Sequence, residues 1–156
     1  FSFYDESYPI FTHARYLPPS RVDDCDLRHV LISEGCSLQK ATVIESVLGV
    51  RSVLSQGVRL TRTLMMGADY YDEESMLTPN GRQYNIPIGI GEGSIIEGAI
   101  LDKNVRVGKN VTIRPHDPDE NWTHPDDCPR GKEMYIIRDG IVVVPKNTEI
   151  PDGTVI

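Results

Sequence analysis

This sequence of 156 residues predicts an all-β fold, a parallel β-helix built from hexapeptide repeats, and three observations carry that prediction. Aliphatic residues recur at every sixth position in three blocks: Ile32, Leu38, Ile44, Val50; then Ile95, Leu101, Val107, Ile113; then Val144, Ile150, Ile156. All eleven are Ile, Leu or Val, types that fill only 39 of the 156 positions, so chance does not explain the pattern. A second row, two residues earlier in each hexad, holds no charged side chain: Val30, Cys36, Thr42, Leu48, then Gly93, Ala99, Val105, Val111, then Val142, Thr148, Thr154. Residues two apart on a strand share a face, so each hexad supplies two inward side chains. Three residues after the aliphatic positions stand Gly35, Gly98, Asn104, Asn110, Asn147 and Gly153, types that tolerate the positive φ of a sharp corner. Short strand, corner, short strand is one side after another of a coil, and coils must stack to bury their inner faces.

Taken in chain order, residues 1–21 carry no repeat and contain Pro9, Pro18 and Pro19, which reads as an extended lead-in or linker. Residues 22–156 form the repeat domain, interrupted by two extruded loops. The loop at 67–86 is polar and turn-rich, and that at 114–134 holds four prolines. Opening on Phe1 rather than Met, the chain reads as a fragment or processed product. Hydrophobic residues at 39% and charged residues at 25% exclude intrinsic disorder. A net charge of −7 argues against nucleic-acid binding, and no apolar run is long enough to span a membrane. Cys25, Cys36 and Cys128, odd in number and unevenly spaced, support neither a disulfide framework nor a zinc knuckle and fit a reducing compartment.

Few residues point to chemistry. The second loop gathers His116, Asp117, Asp119, Glu120, His124, Asp126, Asp127 and Cys128, but their spacing matches no metal site, and a solvated acidic loop is expected. His13 and His29 show no ligand spacing either, and no nucleophile elbow occurs. GIGEG (89–93) is neither a phosphate loop nor a dinucleotide fingerprint, and corner geometry accounts for it. The corner lysines say more. Lys103-Asn104, Lys109-Asn110 and Lys146-Asn147 share one phase of the repeat, where an outward ammonium beside turn N–H groups suits a phosphate or sulfate. A solvated corner is the plain alternative.

The segments LMMGADYY (64–71), IPIGIGEGSIIEGAILDKNVRVGKNVTI (86–113) and YIIRDGIVVVPKNTEIPDGTVI (135–156), with the lead-in FYDESYPIFT…LPPS, closely resemble the C-terminal domain of ADP-glucose pyrophosphorylase, in its cyanobacterial and plant branch. The loop at 115–134 departs from that pattern, being richer in His, Asp and Pro. The resemblance implies a left-handed β-helix that follows an N-terminal nucleotidyltransferase domain. That domain would hold the Mg²⁺ and every catalytic residue of the reaction of ATP with glucose 1-phosphate, leaving this fragment inactive alone and without a cofactor of its own. It implies tetramer assembly with sister subunits, homo- or heterotetrameric, and allosteric control by 3-phosphoglycerate and phosphate. Two effector lysines of the family match Lys103 and Lys146, with Asp102 a weaker match, while Lys109 and Arg106 are expected to be plain surface charge. Bacterial cytoplasm or plastid stroma is the implied location. A hexapeptide acyltransferase and a purely structural oligomerisation module are the other classes open to such a sequence.

Overall fold

In the computed structural model, which describes residues 5–8, 13–72, 84–119 and 135–156, the described chain winds through seventeen short strands. The first three coils are β1 (Arg21–Asp23), β2 (Asp26–Arg28), β3 (Leu31–Ile32); β4 (Ser37–Gln39), β5 (Thr42–Ile44), β6 (Val47–Leu48); and β7 (Val53–Leu54), β8 (Arg59–Thr61), β9 (Leu64–Met65). The fourth is β10 (Gly89–Ile90), β11 (Ile95–Glu97), β12 (Ala99–Leu101). Then come β13 (Arg106–Val107), β14 (Thr112–Ile113), β15 (Ile136–Arg138), β16 (Ile141–Val144) and β17 (Glu149–Ile150). Up to β14 every third strand stacks, and the hairpin strand β15 shifts the count by one beyond it, giving three sheets: β1-β4-β7-β10-β13-β17, β2-β5-β8-β11-β14, and β3-β6-β9-β12-β16-β15. All pairings are parallel except β15 with β16, whose hairpin turns through Asp139 and Gly140 at positive φ. Strand β15 thereby covers the edge at which a further parallel strand would pair.

The registers show where coils are regular and where they are interrupted. Arg21 pairs with Ser37 and Ser37 with Val53, sixteen residues per coil, while Thr42 pairs with Arg59, seventeen. Leu54 instead meets Ile90, and Ile100 meets Val143, so each loop leaves and re-enters the stack without disturbing it. Both loops fall only partly within the described residues; Glu120, His124, Asp126, Asp127 and Cys128 lie outside them.

The sides are not uniformly six residues long. The enclosed aliphatics are Leu38, Val43, Leu48, Leu54, Leu60 and Met65, then Ile90, Ile96, Leu101, Val107 and Ile113, then Val144 and Ile150, all 2% exposed or less. Their steps are fives as well as sixes. Ile44 and Val50, expected inside, are therefore only half-buried, and Ile95 is 37% exposed with Ile96 facing in. A side shortened by one residue reverses the face of everything after it until the corner resets the phase. The second inner row holds small residues next to the corners: Cys36, Ala41, Ser46, Ser52, Val58, Thr63, Ser94 and Ala99 are all buried. Its hydroxyls are satisfied, as Ser46 Oγ donates to Ile44 O at 2.7 Å and accepts from Thr63 N at 3.1 Å.

All six expected corner residues have positive φ, from 53° to 73°. So do Asp24, His29, Lys40, Glu45, Arg51 and Arg62, charged or histidine side chains that residue type alone does not mark as corners. Their backbone strain is offset by a ladder along each edge. Lys40 N donates to Asp23 O at 2.8 Å, Gly57 N to Lys40 O at 3.1 Å and Gly93 N to Gln56 O at 3.0 Å.

Candidate functional site

The edge between the third and first sheets stacks Gly35, Arg51, Gly67, Asn104 and Asn147, one positive-φ corner per coil. Asn104 N donates to Gly67 O and Asn147 N to Lys103 O, each at 3.0 Å. Lys103 and Lys146 therefore stand one above the other on adjacent coils, although a long loop separates them in sequence. Lys109 belongs to the next edge, where its ammonium is 3.7 Å from Glu92 and its N–H donates to Asp152.

Gly67 is the point at which the chain departs from the corner. With φ 85° and a would-be Cβ 2.1 Å from Val50 O, only glycine fits there. Two residues on, Asp69 points its carboxylate at both lysines. Lys103 Nζ reaches Oδ1 at 3.0 Å and Lys146 Nζ reaches Oδ2 at 2.6 Å. Asn104, buried, holds the same residue twice: Oδ1 accepts from Asp69 N at 2.8 Å and Nδ2 donates to Asp69 Oδ2 at 3.2 Å. Nδ2 also donates to Asn147 Oδ1 at 2.9 Å, tying the two corners together. Asp102 faces its own turn, accepting from Lys103 N at 2.6 Å. It adds negative field near Lys146 without an ion pair to it.

Behind Asp69 the arm is pinned down. Arg51 donates to Ala68 O at 3.2 Å and its guanidinium lies 5.5 Å from the Tyr71 ring, whose hydroxyl donates to Gly35 O. Asp72 takes two hydrogen bonds from Arg106, at 2.7 and 3.1 Å. Arg106 is the departure from expectation. It is completely buried rather than surface charge, because the arm and its return at Tyr84–Ile88 cover the outer face of the first sheet. It donates to Ile86 O at 2.6 Å and lies 4.1 Å from the Tyr84 ring, while Glu149 accepts from Asn85 N and Ile86 N. A cleft of about 460 Å³ beside that return, lined by Gln56, Gly91, Lys109 and Asp152 among others, does not include Lys103 or Lys146.

The three described histidines do not converge. His13 and His29 are exposed, His29 on a corner, and His116 N donates to Gly140 O at the base of the second loop. Among the described residues no cluster of three or more His, Cys, Asp or Glu stands together.

A family model described as the GLGC left-handed parallel beta-helix domain matches residues 15–155, nearly the whole chain. The chain belongs to that family. The GLGC domain is part of ADP-glucose pyrophosphorylase, a glucose-1-phosphate adenylyltransferase, which sets this β-helix in the context of ADP-glucose synthesis for glycogen or starch. Its coils are left-handed, and the all-β expectation holds.

One further surface stands out on this GLGC domain. Leu31, Val47, Leu64, Ile100, Val143 and Ile136 are register partners across all six strands of the third sheet and point outward. The other two sheets present mainly polar side chains at the equivalent positions, such as Arg21, Ser37 and Glu149, or Asp26, Thr42 and Arg59. Together they form a continuous outward aliphatic row six strands long.

The lysine pair holds the Asp69 carboxylate well below its ordinary 3.8, at about 2, chiefly through the hydrogen bond from Lys146 and then that from Lys103. The same contact pushes Lys146 above its ordinary 10.5. A lowered acid value means that the clamp stabilises fully above pH 3.8 and is lost as pH falls through about 2. The raised lysine value means that its share is present below 10.5 and lost only as pH climbs past the folded value. Urea midpoints of wild type and Asp69→Asn should therefore differ at neutral pH and converge as the pH approaches about 2. A difference unchanged down that range would show that the clamp contributes nothing. Because Asp69 is 35% exposed, the expected difference is small.

Proposed function

We propose that this GLGC domain is the regulatory and oligomerisation module of an enzyme that makes ADP-glucose and pyrophosphate from ATP and glucose 1-phosphate. In this reading the catalytic residues and Mg²⁺ belong to an N-terminal nucleotidyltransferase domain, and the β-helix alone is inactive. Lys103 and Lys146, with Asp102 beside them, supply half of a site for an anionic effector such as 3-phosphoglycerate or phosphate. The single observation that carries the reading is that two lysines far apart in sequence meet on one edge within reach of one anion. They are partly exposed, so an incoming phosphate group has access. Ammonium groups on rigid corners offer charge-assisted bonds to such a group without first being ordered.

Regulation follows from linkage. An anion bridging this edge and the catalytic domain raises activity only by binding the active arrangement more tightly, and a tenfold preference is about 1.4 kcal/mol. Isothermal titration of the chain with phosphate and 3-phosphoglycerate at low salt tests the domain's share. Saturating heat is expected in the wild type and is expected to vanish in Lys103→Ala/Lys146→Ala. Equal affinity in both proteins would overturn the assignment. The enzyme's location would be bacterial cytoplasm or plastid stroma.

The outward aliphatic row favours a second role beside the first. That face suits docking of the catalytic domain or a sister subunit in a tetramer, and such assembly requires no effector. An acyltransferase finds less support, since the exposed His13 and His29 stand in the lead-in and on a corner.

A further inference from the structure

Two ammonium groups on one edge need an anion, and the chain provides one of its own. Each oxygen of Asp69 takes one lysine, at 3.0 and 2.6 Å, and Asn104 adds a third donor to the carboxylate. This is the coordination that one edge of a phosphate group would take from the same donors. The backbone under Asp69 is held from both sides: Asn104 fixes its N–H, and Arg51, Tyr71 and Arg106 pin the arm that carries it. The side chain itself is 35% exposed, so rotation about its first torsion takes the carboxylate to solvent while the arm stays in place.

We propose that Asp69 is an internal counter-ion that occupies the anion position between Lys103 and Lys146, and that it makes the site selective for dianionic phosphate groups over monoanions. This rests on the reading that the lysine pair binds effector anions, and it names what sets their selectivity. With Asp69 in place, two ammoniums and one carboxylate leave a single positive charge. With Asp69 turned away, the pair presents two. A dianion gains roughly twice the Coulomb attraction that the carboxylate gives up, so it displaces Asp69. A free monoanion exchanges like for like, and it competes with a carboxylate tethered at an effective concentration on the order of millimolar or higher. The counter-ion therefore keeps abundant small monoanions out and sets the concentration at which a phosphate ester gets in.

The test is titration of the 156-residue chain with inorganic phosphate and, separately, with acetate, in a low-chloride buffer. Wild type, Asp69→Asn, Asp69→Asn/Lys103→Ala/Lys146→Ala and Lys103→Ala/Lys146→Ala are compared, with Asp69→Ser as a second neutral variant. Unfolding midpoints at neutral pH show that each is folded. Asp69→Asn is expected to bind phosphate about tenfold more tightly than wild type and to acquire measurable acetate binding, and the lysine substitutions should remove both gains. Unchanged or weaker phosphate binding in Asp69→Asn and Asp69→Ser, beside lysine-dependent binding by wild type, would overturn the counter-ion and leave the anion site standing. It would mean that Asp69 orients the lysines instead. A gain that survives loss of the lysines would also overturn it, placing the new binding elsewhere. Absence of binding in every protein would overturn both the counter-ion and the effector reading.

Discussion

Val43→Asp should abolish folding, while Ile44→Asp should leave the chain folded and within about 1 kcal/mol of wild type. Val43 is completely enclosed in the second coil, so a carboxylate there would be buried without a partner, a loss on the order of 5 kcal/mol or more. Ile44 points outward between its register neighbours Arg28 and Thr61, where an aspartate meets water and a guanidinium. A strict hexad reading expects the reverse, because it places Ile44 in the aliphatic row. Circular dichroism and urea unfolding of the two variants distinguish the registers. A folded Val43→Asp beside an unfolded Ile44→Asp would show that the sides of the second coil are six residues long after all. The pair Ile96→Asp and Ile95→Asp repeats the test in the fourth coil, with Ile96 the intolerant site.

Arg106→Ala is the second large effect, about 3 kcal/mol of lost stability. Arg106 is the largest fully buried side chain among the described residues, and its removal takes two hydrogen bonds from Asp72, the guanidinium donor from Ile86 O and the stacking cation from Tyr84. The remaining void adds to the loss, since the arm is anchored to the first sheet by this side chain and by Glu149. Arg106→Lys should recover less than half, because an ammonium does not reproduce the two-pronged contact with Asp72 while also donating to Ile86 O. Urea unfolding gives the magnitude. Faster amide exchange at Ile86 and Ile88, whose N–H groups donate to Glu149 and Asp72, locates it. A loss below about 1 kcal/mol with unchanged exchange would mean that the arm is held by other contacts.

The arm shows how structure changes the meaning of a residue. Within the repeat Arg106 occupies an outward position, next to the enclosed Val105 and Val107, and outward arginines are solvated by default. Only the return of a loop over that face buries it, and nothing local to Arg106 signals the cover. Asp69 is a similar case. It lies in the GADYY segment that marks the family, yet its role depends on lysines thirty-four and seventy-seven residues away. The one local cue is an acidic residue two places after a glycine at a corner.

By itself the sequence determined the winding of this protein: short strands at a near-hexad spacing, and Gly or Asn at six of the positive-φ corners. It also marked the family, through the motifs at 64–71, 86–113 and 135–156. These are local properties, written in the spacing of neighbours along the chain. The tertiary structure alone decided which sides are five residues long, since one missing residue inverts a face without leaving a mark in composition. It alone stacked Lys103 on Lys146, with Asp69 between them, and closed a loop over Arg106. The physical reason is that stacking brings together residues a whole coil and an inserted loop apart, and their meeting depends on how many strands intervene, which spacing does not count.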